Sequence, residues 1–176
     1  MTRAAIGLGS NLGQPRGHLA RALAALARVP GIRIIDVSPL YATAPVGGPV
    51  QRDYLNLVAI VDTSLAPRAL LAQLHAIEHR AGRRRDPAAP RNAPRTLDLD
   101  LLLYGRRRAR HHELALPHPR MHERAFVLRP LADVAPAAMI PGRGLAKRFL
   151  AAARGQRIAR AGVLVRLQPS RPRPRS

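Results

Sequence analysis

Between Ala4 and Tyr104 the apolar residues change their repeat in a set order, and that order constrains the fold more than any other feature of the chain. Ala4 to Leu8 is a short apolar run of the kind a buried strand makes, and a loop from Gly9 to Gly13 follows it. Pro15 suits the first turn of a helix. Leu19, Leu23 and Leu26 then repeat at helical spacing to about Arg28, where Pro30-Gly31 stops the pattern. Ile32 to Val37 is β-rich and continues toward Tyr41. After a Pro/Gly loop at 44–49, Tyr54 to Asp62 alternates, with Leu55, Leu57, Ala59 and Val61 on one face and Tyr54, Asn56, Val58 and Ile60 on the other. Thr63 and Ser64 offer caps, Pro67 opens a second helix with the stripe Leu70, Leu74, Ile77 and Ala81, and Gly82 ends it. A basic, proline-broken loop from Arg83 to Arg95 leads to Leu97–Tyr104, which reads as a strand.

The order β-α-β-β-α-β predicts a ferredoxin-like α+β fold, an antiparallel sheet with helices packed on one face. Further helical pieces are expected near 120–132 and 145–153. One domain is predicted over residues 1–154, with 155–176 a basic Pro/Arg-rich tail that is disordered at its end. The absence of cysteine excludes disulfide scaffolds, thiol nucleophiles and cysteine-ligated metals. No apolar run approaches the roughly 18–20 residues of a membrane span. Met1-Thr2-Arg3 leads directly into a strand, not a signal peptide, so a cytoplasmic location is expected.

The formal net charge is +20, from 30 basic and 10 acidic residues. It is unevenly spread. The last acidic residue is Asp133, and Lys147 is the only lysine, so the basic excess is an arginine excess concentrated in the last quarter of the chain. Such a tail can bind nucleic acid electrostatically. Sheet-based RNA readers, however, need several exposed aromatics on their central strands, and only Tyr54 is a candidate there.

The strongest local signal is Arg95-Thr96-Leu97-Asp98-Leu99-Asp100. On a strand, residues i and i+2 share a face, so Asp98 and Asp100 project together while Leu97, Leu99 and Leu101 enter the core. An isolated Asp-x-Asp also fits the solvated face of an amphipathic strand. Here Arg83, Arg84, Arg85, Arg91 and Arg95 precede the pair on one loop, opposed only by Asp86. Paired carboxylates ringed by cations suit a complex of polyphosphate with Mg²⁺. Other motifs fail. Gly7-Leu8-Gly9-Ser10-Asn11-Leu12-Gly13 places its third glycine one residue too late for a dinucleotide loop. His75-Ala76-Ile77-Glu78-His79 matches a zinc-protease pattern, yet the further ligand it needs has no convincing source.

Taken together the chain resembles the 6-hydroxymethyl-7,8-dihydropterin pyrophosphokinases of folate biosynthesis from Ile6 to about Pro141. The resemblance rests on Gly9-Ser10-Asn11-Leu12, Asp53-Tyr54-Leu55-Asn56, Pro94-Arg95-Thr96-Leu97-Asp98-Leu99-Asp100, and Pro117-His118 followed by Arg124-Ala125-Phe126. It implies transfer of pyrophosphate from ATP to the pterin's hydroxymethyl group, with release of AMP. It also implies that Asp98 and Asp100 hold two Mg²⁺ ions and that Arg83 and Arg95 neutralise phosphate charge as catalytic groups. Glu78, Arg85, Arg95, His118 and Arg124 are then expected at ATP. Tyr54 and Phe126 are expected to sandwich the pterin, Asn56 to bond its amide edge, and Thr43, Ala44 and Val46 to line the same pocket. The implied small-molecule partners are ATP and the pterin; no membrane, no nucleic-acid partner and a monomeric chain are expected.

The sequence departs from many such proteins at Asn92, where a tryptophan is common, and at Ala93, where glycine is. His75 replaces a glutamine, and Glu113 and Ala115 stand where some relatives place an arginine and a threonine. Adenine contacts are therefore expected to be built differently here.

Overall fold

A computed structural model describes residues 1–45, 49–83 and 93–164. Expectations placed on Val46, Arg84, Arg85, Arg91, Asn92 and the end of the tail lie outside the described residues. The chain runs β1 (Thr2–Ser10), α1 (Pro15–Ala27), β2 (Ile32–Val37), β3 (Leu40–Thr43), β4 (Tyr54–Thr63), α2 (Pro67–Arg80) and β5 (Asp98–Tyr104). Two short hairpins follow around a third helix: β6 (Ala109–Arg110) with β7 (Ala115–Leu116), α3 (Ala125–Val134), then β8 (Met139–Ile140) with β9 (Gly144–Leu145). The last strand is β10 (Ile158–Gly162). The main sheet is antiparallel in the order β10-β3-β4-β1-β5, and β2 also pairs with β4, which is the ferredoxin-like α+β arrangement.

The single strand expected from Ile32 toward Tyr41 is two strands. Ser38 interrupts it: its backbone N–H donates to Val58 O, while its Oγ accepts the Val58 N–H. Pro39 has no N–H for the ladder, so the break falls where the chain could not continue pairing. At the start of α2, Thr63 Oγ1 accepts the N–H of Leu65, and Ala66 holds the cap position without a side-chain bond. Pro67 occupies the first turn, where its missing N–H costs nothing. Gly82, with φ of +82°, turns the chain out of that helix.

Helices cover both faces of the sheet, not one. Leu8, Leu57, Ala59, Val61, Leu99 and Leu101 pack under α1 and α2. On the opposite face Ala5, Val58, Ile60, Leu102 and Leu103 pack with Val127, Leu128 and Leu131 of α3. The central strands read as alternating, but both sets of alternate residues are apolar, so each face needs a cover. In β5 a bulge opposite Ala5 and Ile6 inserts one residue and brings Leu102 and Leu103 onto the second core.

The helical piece expected at 120–132 is a 3-10 turn (Met121–Glu123) followed by α3, divided at Arg124, whose backbone is extended at φ −112° and ψ 111°. That expected at 145–153 is a 3-10 turn over Ala146–Leu150. The sheet also continues past the expected boundary at 154. Residues 158–162 form its edge strand beside β3, because Ile158 and Ala159 stand opposite Thr43 and Ala42 and extend the ladder. No helix is long and apolar enough to cross a membrane among the described residues.

Candidate active site

Pairing of β4, β1 and β5 sets Asn56, Gly9 and Asp98 side by side, with Val58, Gly7 and Asp100 as the next row. Positions two apart return to one face of a strand, so both rows lie on the face that α3 covers. The two glycines leave a trough between the carboxylates of β5 and the side chains of β4. A Cβ added to Gly9 would stand 2.7 Å from Asn56 Oδ1, whereas one on Gly7 would meet Leu102 at an ordinary 3.4 Å. The trough therefore needs glycine at position 9 to accommodate Asn56.

The trough opens into a cleft lined by Thr43, Ala44, Tyr54, Asn56, Phe126 and the carboxylates, an aromatic and apolar wall with a few convergent polar groups of the kind small-molecule sites use. Asn56 is buried and donates from Nδ2 to Thr43 Oγ1 at 2.7 Å. The Tyr54 hydroxyl donates to Ala93 O at 3.2 Å, which ties the aromatic wall to the chain entering β5. The Arg124 guanidinium lies over the Phe126 ring, 5.3 Å from its centroid. Of the residues assigned to the pterin by resemblance, all but Val46, which is outside the described residues, meet in this one cleft.

A second, more open and more basic cleft lies on the other side of the carboxylates. His75, Arg83, His112, His118 and Arg124 are among its lining. The two clefts share Arg95, Asp98, Asp100 and Arg124. Glu78 does not line either; it is 2% exposed and faces inward, paired with Arg83 and accepting the Leu99 N–H at Oε1 at 2.8 Å. Expected at ATP, it instead sits behind the site, because α2 packs that face of the helix onto β5. The same contacts account for the Glu78 of the zinc-like motif, and no group of three metal-ligating side chains occurs among the described residues.

Charges in the site are arranged unevenly. Asp98 is paired with Arg83 and, at 2.5 Å, with Arg95. Burial alone would raise its pKa, but these two guanidiniums hold it below the usual carboxylate value. Asp100 has no ion pair among the described residues. Burial and the neighbouring Asp98 charge push its pKa up to about 6. The pair thus carries one well-compensated carboxylate and one whose negative charge is costly until a cation arrives. Magnesium takes oxygen ligands and commonly uses one or two carboxylates plus phosphate oxygens and water, so the donor set fits that ion without a third side chain.

Burial and the charges of Arg124 and Arg120 lower the pKa of His118 to about 4, so its ring is neutral at pH 7. Its Nδ1 accepts the Arg120 N–H at 3.3 Å, which leaves the proton on Nε2 as a donor. Burial and Arg120 lower the pKa of Arg124 too, yet it stays well above neutrality as a charged group.

Two residues in the quoted motifs have a function that spacing did not reveal. Ser10 and Asn11 are buried. Ser10 Oγ donates to Thr96 O at 2.6 Å, and Asn11 exchanges backbone and side-chain bonds with Arg95: Asn11 N to Arg95 O at 3.1 Å, and Arg95 N to Asn11 Oδ1 at 2.9 Å. Asn11 Nδ2 also donates to Gln51 Oε1 and Arg52 O, at 2.7 and 3.1 Å. This clasp joins the approach to β4 to the approach to β5. Arg120 also lines the first cleft, and no periodic or motif signal distinguishes it from the other arginines.

The family model for 7,8-dihydro-6-hydroxymethylpterin-pyrophosphokinase (HPPK) matches residues 5–136. The 2-amino-4-hydroxy-6-hydroxymethyldihydropteridine pyrophosphokinase of Pseudomonas aeruginosa is 49% identical over 144 residues, covering 81% of this chain and 87% of its own. The protein of the same name from Bacillus subtilis is 43% identical over 129 residues, covering 73% and 75%. Among solved structures, wild-type Plasmodium falciparum HPPK-DHPS with SDX-DHP is similar at a TM-score of 0.62 and 14% identity over 86% of this chain, a likeness of fold. This chain spans 43% of that longer one. By the reach of the family match and the identity to relatives of similar length, the chain belongs to the 7,8-dihydro-6-hydroxymethylpterin-pyrophosphokinase family.

Proposed function

We propose that the chain transfers the terminal pyrophosphoryl group of ATP to the hydroxymethyl oxygen of 6-hydroxymethyl-7,8-dihydropterin, releasing AMP, as a cytoplasmic step of folate biosynthesis. The observation that carries this reading is that the aromatic cleft and the basic cleft meet at Arg95, Asp98, Asp100 and Arg124. A flat, amide-edged ring suits the first, where Tyr54 and Phe126 offer aromatic surface and Asn56 an amide. A triphosphate suits the second.

In the reaction the pterin's hydroxymethyl oxygen bonds to the β-phosphorus of ATP. The bond from that phosphorus to the oxygen bridging the α- and β-phosphates breaks, and AMP leaves with the electron pair. The hydroxyl proton passes to solvent. Such a displacement depends mainly on alignment and on neutralising phosphate charge. Arg95 and Arg124 border both clefts, a position from which they would face the phosphates in transit. Arg83 is held by Glu78 and Asp98 at the edge of the second cleft. His118 offers Nε2–H to a phosphate or ribose oxygen without adding charge. Asp98 and Asp100 are the groups that would hold Mg²⁺. Held there, the ion would offset the negative charge of the phosphates as a Lewis acid.

Incubation with ATP, Mg²⁺ and 6-hydroxymethyl-7,8-dihydropterin tests the reading. One AMP is expected for each pterin diphosphate formed. ADP as the nucleotide product, or AMP release that does not depend on the pterin, overturns it.

A further inference from the structure

We infer that Gln156 and Arg157, in a segment beyond the family match, are positioning residues that hold three walls of the pterin cleft in register. The inference rests on the pterin assignment of that cleft. The walls come from separate elements: Ala44 just beyond β3, Tyr54 at the start of β4, and Phe126 in the first turn of α3. The β3–β4 ladder ends at Thr43 opposite Tyr54, and it does not reach α3. The cap position of α3 is Arg124, which makes no side-chain capping bond. Helix starts leave N–H groups in need of partners.

Gln156 supplies one from outside. Its Oε1 accepts the Ala125 N–H at 2.9 Å, and its Nε2 donates to Glu123 O at 2.6 Å, bracketing Arg124 and abutting Phe126. The next residue turns to the other walls. Arg157 O accepts the Ala44 N–H at 3.2 Å, and its guanidinium grips both oxygens of Asp53, beside Tyr54, at 2.6 and 2.9 Å. Two consecutive residues therefore touch the neighbours of all three walls. The Arg157 side chain is 68% exposed, and such surface pairs contribute about 0–1 kcal/mol to folding. A bidentate grip that adds little stability still fixes orientation, and small misplacements at a site reduce binding and rate far more than they reduce stability.

The test uses the full chain and 6-hydroxymethylpterin as a fluorescent probe, with ATP KM, pterin KM and thermal midpoint measured in parallel. Arg157→Gln is expected to raise the pterin Kd and KM about tenfold while the ATP KM and the midpoint stay close to wild type. Asp53→Asn should match it, and the double variant should be no worse than either single one. Gln156→Ala should also weaken the pterin, and Gln156→Glu, which keeps the acceptor for Ala125 N–H but loses the donor to Glu123 O, should recover only part of the loss. Unchanged pterin affinity in Arg157→Gln and Gln156→Ala overturns the inference. Equal losses for pterin and ATP in Arg157→Gln, tracking a lowered midpoint, overturn it too, since that is a merely structural role. If the wild-type chain binds no pterin, the parent reading fails and takes this inference with it.

Discussion

Asp98 and Asp100 lie two residues apart on one face of β5, yet their acidities move in opposite directions. Arg83 and Arg95 outweigh the effect of burial on Asp98 and lower its pKa, while burial and the Asp98 charge raise that of Asp100 to about 6. The second carboxylate is thus strained in the free protein in a way that a bound cation relieves. Sites of transfer often keep such groups at the expense of stability.

Asp100→Asn is therefore expected to abolish AMP formation and to stabilise the protein in EDTA. The folded pKa lies above the unfolded value of 3.8, so the folded state holds the extra proton between about pH 4 and 6. Stability from this group is present below pH 4 and lost as pH rises through 6. At pH 7 the loss is about 3 kcal/mol, at 1.36 kcal/mol for each pKa unit. His118 runs the other way: its folded pKa lies below 6.5, so its stability is lost as pH falls through about 4. The readout is consequently the difference between variant and wild type in urea denaturation across this range. A variant no more stable than wild type at pH 7, or a gap that persists at pH 4, contradicts the assignment.

Asp98→Asn should behave oppositely toward stability. It leaves Arg83 and Arg95 without the carboxylate that both grip, and Arg83 is largely buried beside Glu78. Breaking a buried pair by removing one partner costs about 3–5 kcal/mol, reduced here because Arg95 is about one-third exposed. Turnover is lost in both Asp variants, so the pair separates by thermal midpoint alone: Asp98→Asn below wild type, Asp100→Asn above it.

Gly9→Ala and Gly7→Ala make a controlled comparison. Both glycines lie in the trough, but only the Gly9 Cβ would come within 2.7 Å of Asn56 Oδ1. Asn56 must then swing away and release Thr43. The expected result is a pterin KM raised by more than about tenfold for Gly9→Ala, at 1.4 kcal/mol per factor of ten, and a smaller change for Gly7→Ala. Equal effects in steady-state kinetics would mean that the Asn56 contact is not what position 9 protects.

Much of this arrangement was legible in the sequence, because period and punctuation act locally. Pro15, Pro67 and Gly82 mark helix ends that the structure keeps. The alternation through Tyr54–Asp62 and Leu97–Leu101 assigns the faces that bring Asn56 and the aspartates together. What was not legible depends on contacts across distant segments. The cover of the second face by α3 requires knowing that Val58 and Leu102 meet Leu128, and one strand's pattern does not name its partner. The inward turn of Glu78 follows from the packing of α2 on β5, since a helical repeat alone does not separate a buried ion pair from a ligand-facing carboxylate. The strand at 158–162 was hidden by its composition: edge strands tolerate arginine and glycine, which resemble a tail in sequence.

Asn11 makes the last case, because it acts on both clefts without lining either. Its Oδ1 takes the Arg95 N–H, and its Nδ2 gives to Gln51 and Arg52, so one buried amide fixes the entries to β4 and β5 together. Asn11→Ala leaves the partly buried Arg95 N–H and Arg52 carbonyl without these partners, at a cost of at most about 1–3 kcal/mol. The loss should reach function through Arg95, which pairs with Asp98 and, in the proposed reaction, faces the phosphates. Asn11→Asp separates the two halves of the clasp: it keeps an acceptor for Arg95 N–H but cannot donate to Gln51 or Arg52 O. Expected in steady-state kinetics is a fall in kcat/KM for both substrates with Asn11→Ala. With Asn11→Asp the ATP loss should be smaller than the pterin loss, because Tyr54 follows directly on the released segment while Arg95 stays held. The reverse order, with ATP use more impaired than pterin use in Asn11→Asp, would show that the anchor at 51–52 and not the one at Arg95 governs the phosphates.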